Sequence, residues 1–360
     1  MTTDAVGGVW TYSTELANEL SKDGTEVLLA TMGPRPSSSQ RTQITKMRGV
    51  ELRESEFKLE WMKDPWEDVA KAGEWLLALG REFQPDVVHL NGYAHGSLAW
   101  NAPVVLVAHS CVLSWWRAVN GGEELPSSWF VYREKAGRGL RAADCVISPT
   151  DAMLASVQEF YGPLRNCRVI ANGRASGLFR PGDSKEPFII AAGRLWDEAK
   201  NIAALLEISS ELDWPVCLAG SGDVSARNCR LLGHLNTADF AQLLGQASIF
   251  CLPARYEPFG LCILEAALSG CALVLGDIQS LRENWNGAAI FVAPEDRHGL
   301  ARTLNELIRD VSKREELARR ARLRGLCFTT ERMSSRYREI YAELIARHSR
   351  EQAGVNACAL

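Results

Sequence analysis

The chain has 360 residues, 46% of them hydrophobic, and a formal net charge of −4. That length suits two domains, each able to bury its own core, and the mild acidity argues against a dominant nucleic-acid surface. No apolar run approaches the roughly 18 residues of a membrane span and no charged-then-apolar leader is visible, so neither a span nor a signal peptide is predicted.

Met1-Thr2-Thr3 leads into Asp4-Ala5-Val6-Gly7-Gly8 and then an amphipathic helix through Trp10, Leu16, Ala17 and Leu20. Gly7 and Gly8 stand at a strand-to-helix junction, where a bulkier residue would hold backbone N–H groups away from an anion. A tight turn without a ligand is the alternative. Glu26 to Thr31 reads as a strand, Gly33 to Gln43 as a polar Pro/Ser loop, Val50 to Arg53 as a short strand and Pro65 to Phe83 as a helix. Asp86 to Leu90 and Val104 to Ala108 are apolar runs of the buried, parallel type. A polar helix over Pro126 to Ala142, a strand over Cys145 to Ser148, a helix over Thr150 to Tyr161 and a strand over Arg168 to Ala171 follow.

Asn172-Gly173 opens a stretch rich in Gly, Pro, Ser and charge. Strands then recur at Phe188 to Ala192, Val216 to Ala219, Arg230 to Leu235, Ser248 to Leu252, Ala272 to Leu275 and Ala289 to Val292. An amphipathic helix over Glu331 to His348 closes the pattern. Alternating strands and helices predict doubly wound parallel sheets. The expected division is a first domain over residues 1–172, a linker over 173–187, a second domain over 188–330 and a final helix over 331–350. The ten cysteines form no Cys-x-x-Cys pair, which fits a reducing cytoplasm and argues against structural zinc.

The stretch Arg255 to Cys271, RYEPFGLCILEAALSGC, organises the second domain. It follows the apolar run Ala247 to Leu252, turns at Glu257-Pro258-Phe259-Gly260, and enters a helix with Leu261, Leu264, Ala267 and Leu268 at helical spacing. Pro258 is expected at the first helical position. The backbone donors of Phe259, Gly260 and Leu261 then point outward at the positive end of a helix dipole. Such a site, at a strand's carboxyl end, is where open α/β sheets bind anionic ligands. Glu257 before the helix and Glu265 inside it, roughly 12 Å apart along its axis, suit sugar and ribose hydroxyls because carboxylates are good acceptors.

Arg194 and Lys200, within AAGRLWDEAKN, supply two cations for a diphosphate. LAGSGD (Leu218 to Asp223) and LLGHLN (Leu231 to Asn236) each place a glycine turn after a strand. Backbone groups near Gly233 suit a nucleobase edge, with Leu235 against its face. His109 follows the run Val104 to Ala108 at its carboxyl end, either as a functional group or as a satisfied polar residue. Eight of eleven tryptophans precede residue 130; core packing accounts for most of them, and Trp115, Trp116 or the adjacent Arg117 are the candidates to line a pocket for a carbohydrate ring.

Glu257-x7-Glu265 in its strand–turn–helix setting, with Arg194 and Lys200 upstream, resembles the family 4 glycosyltransferases of the GT-B fold. The resemblance covers nearly the whole chain. It implies an α/β protein of two Rossmann-like domains facing across a cleft, with the final helix returning to the first domain. It implies retaining, metal-independent transfer from a nucleotide-diphosphate sugar to a hydroxyl acceptor, in glycan or glycolipid synthesis. By the same resemblance Arg194 and Lys200 bind the diphosphate, although the lysine more commonly stands one residue nearer the arginine. Glu265 takes the ribose, Glu257 positions the donor sugar, and the loop of Gly233 and Leu235 holds the base. The amides of Phe259, Gly260 and Leu261 assist the phosphate, Gly7 and Gly8 approach phosphate and acceptor, and His109 approaches the donor sugar.

The resemblance implies a front-side mechanism in which the departing phosphate assists the acceptor. It implies no cofactor beyond the donor and no metal, and no Asp-x-Asp motif occurs. The expected partners are a nucleotide sugar and a saccharide or lipid-linked acceptor, with no nucleic acid and at most peripheral membrane contact. In that family an apolar first strand precedes the glycine loop, and only its last two or three residues stand here. The natural product is therefore expected to begin several residues upstream, or else the domain lacks a central strand. Three rivals stand beside this reading: a nucleotide-sugar epimerase of the same fold, a phosphorylase with a pyridoxal-phosphate lysine, and a non-catalytic sugar- or protein-binding relative.

Overall fold

The computed structural model describes residues 1–222 and 225–358, residues 354–358 by their backbone alone. Two compact units emerge. One holds Met1–Ser114, Glu124–Gly173 and the chain from Thr330 onward; the other holds Trp115–Glu123 and Arg174–Thr329.

Up to residue 173 the chain forms β1 (Thr2–Asp4), α1 (Gly8–Lys22), β2 (Val27–Met32), α2 (Ser38–Thr45), β3 (Val50–Glu54) and α3 (Trp66–Phe83). Then come β4 (Val88–Leu90), β5 (Val104–Val107), α4 (Val112–Asn120), α5 (Phe130–Ala142), β6 (Cys145–Ser148), α6 (Asp151–Tyr161) and β7 (Cys167–Val169). Strands β1-β2-β3 form one parallel sheet and β4-β5-β6-β7 another. Alternation along β2 divides the packing between its two faces. Val27 and Leu29 join α1 residues Trp10, Tyr12 and Leu16. Leu28, Ala30 and Met32 meet Ala72, Leu76 and Leu79 of α3.

Between residues 186 and 325 lie β8 (Glu186–Ala192), α7 (Ile202–Ile208), β9 (Val216–Ala219), β10 (Cys229–Gly233), α8 (Thr237–Gln246) and β11 (Ala247–Leu252). They are followed by α9 (Leu261–Leu268), β12 (Ala272–Gly276), α10 (Gln279–Trp285), β13 (Ile290–Val292), α11 (Arg297–Arg309) and α12 (Val311–Gly325). The six strands make one parallel sheet in the order β10-β9-β8-β11-β12-β13. Its central strands read as continuous apolar runs because both faces are covered: all six residues of β11 and all five of β12 are buried.

The last helix, α13 (Thr330–Cys358), belongs to the first unit. Met333, Tyr337, Ile340 and Leu344 recur at helical spacing and enter the core with α1, β2, β5 and β6. Each such buried side chain contributes roughly 1.5–3 kcal/mol, and their helical spacing sets which face of α13 meets the core. Among the described residues no helix is long and apolar enough to cross a membrane.

Several elements differ from the sequence reading. The Gly33 to Gln43 loop contains the start of α2, nucleated by a capping box in which the Ser37 side chain accepts from Gln40 N and Gln40 returns to the Ser37 amide. A single 3₁₀ turn, Ser127–Trp129, precedes α5 in the stretch expected as one helix from Pro126. β8 begins at Glu186, two residues earlier than the strand expected from Phe188. Asp223 of the loop Leu218 to Asp223 lies outside the described residues.

Candidate active site

In the second unit β8 and β11 are adjacent, but the chain leaves them in opposite directions across the sheet: β8 is followed by β9 and β10, and β11 by β12 and β13. Loops leaving the carboxyl ends of two such strands diverge and open a crevice at this switch point. Arg194 to Lys200 leaves β8, and Arg255 to Gly260 leaves β11. Ala199 O joins the two loops by accepting from Arg255 N at 2.8 Å and Tyr256 N at 3.3 Å.

Lys200 Nζ donates to Glu257 Oε2 at 2.5 Å, with the two side chains 14% and 10% exposed. Burial opposes the ammonium charge, but the neighbouring Glu257 carboxylate outweighs it and holds Lys200 above the usual lysine range. The Cys262 thiol senses the same cluster. Burial, with Glu257 and Glu265 adding and Lys200 opposing, pushes it up to about 12. Ser280 Oγ donates to Glu257 O at 2.7 Å and fixes the backbone beneath the carboxylate.

Arg194 is 45% exposed and donates through Nη2 to Asp197 Oδ2 at 2.8 Å. Asp197 Oδ1 accepts from Trp115 Nε1 at 3.0 Å and from Ala199 N at 3.1 Å. Burial works against the Asp197 charge, yet the Trp115 indole, Arg194 and Lys200 keep its carboxyl below the usual range. The Arg194 guanidinium also lies 5.5 Å from the centre of the Trp196 ring. Asp197 thus sets the direction of the Arg194 fork. Sequence reasoning missed it, although an Asp opening a short helical turn is a capping signal.

Helix α9 begins at Leu261, with Gly260 as its cap in the left-handed region at φ +86°. Pro258 therefore stands ahead of the helix and not at its first position, because Gly260 breaks helical continuity between them. Ile263 N and Leu264 N both reach Gly260 O at 3.1 Å. The Leu261 and Cys262 amides are left as the first-turn donors without an intrahelical acceptor. The Phe259 side chain is buried, edge-on to Phe328 at 5.6 Å. Its place is in the core, so only its backbone is available to a ligand.

Glu265 is paired with Arg174, whose Nε donates to Glu265 Oε1 at 2.7 Å; the side chains are 10% and 9% exposed. Arg174 falls in the stretch read from sequence as linker, where nothing marks it as buried. Gly233, at φ +69°, ends β10, and Leu235 lies half-buried just beyond it. Gly233 O accepts from Gly220 N at 2.8 Å. A Cβ on Gly220 would lie 1.8 Å from Gly193 O, so the turns after β8 and β9 can approach this closely only with glycine there.

Arg194, Lys200, Glu257, Gly260, Leu261 and Glu265 thus gather around the carboxyl ends of β8 and β11, with Gly233 and Leu235 on the same edge of the sheet. Gly7, Gly8 and His109 lie in the first unit. Gly7 caps α1 at φ +76° and Gly8 opens that helix. His109 Nε2 lies 2.8 Å from Asn91 Oδ1, and its ring stands edge-on to Tyr12 at 4.3 Å. Burial pushes the His109 imidazole down to about 3, so it is neutral. Trp115 is engaged with Asp197, and Trp116 Nε1 donates to Glu123 O at 3.3 Å. Among the described residues no group of three or more His, Cys, Asp or Glu is placed to hold a metal ion.

Parallel α/β units with cations and carboxylates at a sheet switch point suit an anionic ligand bearing hydroxyls, and family models identify the class as glycosyltransferases of the GT-B fold. Residues 6–174 match the model of Glycosyltransferase Family 4, and residues 186–310 that of Glycosyl transferases group 1. A glycogen synthase of Mycobacterium tuberculosis is 29% identical over 369 residues, covering 89% of this chain and 86% of that one. The fold superposes on sucrose-phosphate synthase from Thermosynechococcus elongatus with a TM-score of 0.79 at 19% identity, covering 96% of each chain. It superposes on Anabaena HepE in complex with UDP and glucose with a TM-score of 0.74 at 16% identity, covering 96% of this chain and 100% of that one. The chain belongs to the family 4 glycosyltransferases.

Proposed function

We propose that this enzyme transfers a glycosyl group from a nucleoside-diphosphate sugar to a hydroxyl of a saccharide or lipid-linked acceptor, in the cytoplasm, with retention of configuration and without a metal. The observation that carries the reading is the convergence of Arg194 and Lys200, leaving β8, with Glu257, leaving β11. Two cations and the first-turn amides of α9 suit a diphosphate, and the solved complex of HepE with UDP and glucose supports a donor of that kind. Glu265 suits the ribose hydroxyls, and the turn at Gly233 and Leu235 suits the base.

In this reading charge develops on the diphosphate as its bond to the anomeric carbon breaks. Arg194, Lys200 and the amides of Leu261 and Cys262 stabilise it from preorganised positions. The acceptor oxygen bonds to the anomeric carbon on the face the diphosphate leaves, and the acceptor proton passes to a departing phosphate oxygen. The products are the glycoside and a free nucleoside diphosphate. Glu257, whose carboxylate is engaged by Lys200, orients the donor sugar and does not attack it.

The test is incubation with a panel of nucleotide sugars and glucan or glycolipid acceptors, with nucleoside diphosphate release followed with and without a chelator. Release that survives chelation, with a product of unchanged anomeric configuration by NMR, is expected. Release that stops on chelation contradicts metal independence, and an inverted product contradicts the front-side route.

A further inference from the structure

Arg174 holds Glu265 in a pair that nothing in the sequence pattern announces. Its Nε donates to Glu265 Oε1 at 2.7 Å, and its guanidinium lies 4.8 Å from the centre of the Phe179 ring. Its backbone amide donates to Phe328 O at 3.1 Å, and the Phe328 ring packs edge-on against Phe259, just before α9. Arg174 is therefore held at both ends, its backbone at Phe328 and its guanidinium between the Phe179 ring and Glu265. Stability alone is a poor reason for such a pair, since apolar residues of similar size often serve as well in a buried place. Orientation is a better one. A guanidinium presents its donors in a rigid fork, so a hydrogen bond from it to Oε1 restricts the directions in which the carboxylate can face. A carboxylate offers about four lone-pair sites, so a guanidinium and ribose hydroxyls can share one.

We infer that Arg174 is a positioning residue that orients the Glu265 carboxylate toward the nucleotide's ribose, and so sets the preference of this site for nucleoside diphosphate over bare diphosphate. The inference rests on the proposed assignment of a nucleotide sugar to this site. Arg194 and Lys200 serve the phosphates in either ligand. Arg174 acts only on the part that pyrophosphate lacks.

Calorimetry of the full chain with UDP, ADP, GDP and inorganic pyrophosphate tests it, comparing the unaltered protein with Arg174→Met, Arg174→Lys and Glu265→Gln. Arg174→Met is expected to weaken the preferred nucleoside diphosphate about tenfold, the scale of one hydrogen bond to a charged group, and to leave pyrophosphate within about twofold of its original affinity. Arg174→Lys should recover part of the loss, and Glu265→Gln should show the same ligand selectivity. If the methionine variant fails to fold, the lysine variant carries the comparison. Equal losses for nucleotide and pyrophosphate, or no loss for either, would overturn the inference alone. An unaltered protein that binds none of the three nucleotides would overturn the proposed function, and this inference with it.

Discussion

Lys200 Nζ and Glu257 Oε2, 57 positions apart in sequence, meet at 2.5 Å where the chain leaves two neighbouring strands of one sheet. Both side chains are largely buried, so each charge depends on the other. Removing one partner of such a pair typically costs roughly 3–5 kcal/mol, because the remaining charge is left buried and unpaired. Lys200→Met should therefore lower the melting temperature measurably, and Lys200→Met combined with Glu257→Gln should recover much of the loss. Thermal denaturation of the two proteins checks this. A double variant no more stable than the single one would show that the pair does not hold the two loops together.

Arg194 is half-exposed, and Asp197 aims it. Arg194→Ala should weaken nucleoside diphosphate binding by roughly 1.5–3 kcal/mol, the usual scale of a charge-assisted contact. Arg194→Lys should recover only part, since the planar fork is lost. Asp197→Asn should weaken the same binding by a smaller amount. Calorimetry decides: unchanged affinity in Arg194→Ala would remove this residue from the phosphate site.

The two glutamates of the motif have different partners and should fail differently. Glu265→Gln is expected to raise the dissociation constant for the nucleoside diphosphate. Glu257→Gln is expected to spare nucleotide affinity and to lower kcat, because Glu257 is proposed to position the donor sugar and not the nucleotide. Steady-state kinetics beside calorimetry separates the two effects. Equal losses of nucleotide affinity would show that the assignments are wrong.

His109 gives a pH prediction for the first unit. Burial lowers its imidazole from 6.5 to about 3, so the fold favours the neutral form. Its contribution to stability is fully present above pH 6.5 and is lost as pH falls from there toward 3, because the unfolded chain takes up the proton first. The His109 ring resonances should stay flat between about pH 5 and 8. A midpoint near the ordinary value, seen by NMR, would show that the ring is solvated.

The parallel sheets and the motif at Arg255 to Cys271 were legible because buried strands are continuous apolar runs and the Glu-x7-Glu spacing sits in a strand–turn–helix setting. The grouping of Arg194 and Lys200 with Glu257 was implied only by the family resemblance, since the sequence pattern gives no strand order; the adjacency of β8 and β11 supplies its physical reason. Polar residues whose role is set by distant partners were not legible. Asp197 takes Trp115 from 82 positions away, Arg174 takes Glu265 from 91, and Asn91, just after β4, meets His109, just after the neighbouring β5. Helix α2 was hidden because its Ser- and Gln-rich sequence has no apolar stripe, and only the Ser37–Gln40 capping box marks its start. The start of α9 was misplaced because Pro258 is a good first helical residue, whereas the left-handed Gly260 two residues later is the actual cap.

The central claim is that the cluster at the ends of β8 and β11 breaks the bond between a sugar and a nucleoside diphosphate. The most direct measurement is release of nucleoside diphosphate from a panel of nucleotide sugars, made in parallel on the unaltered protein and on Arg194→Ala and Glu257→Gln. The account predicts acceptor-stimulated release from at least one donor, with a loss of about tenfold or more in each variant, the effect of about 1.4 kcal/mol on the barrier. Turnover that persists undiminished in both variants would place the chemistry elsewhere and contradict the account.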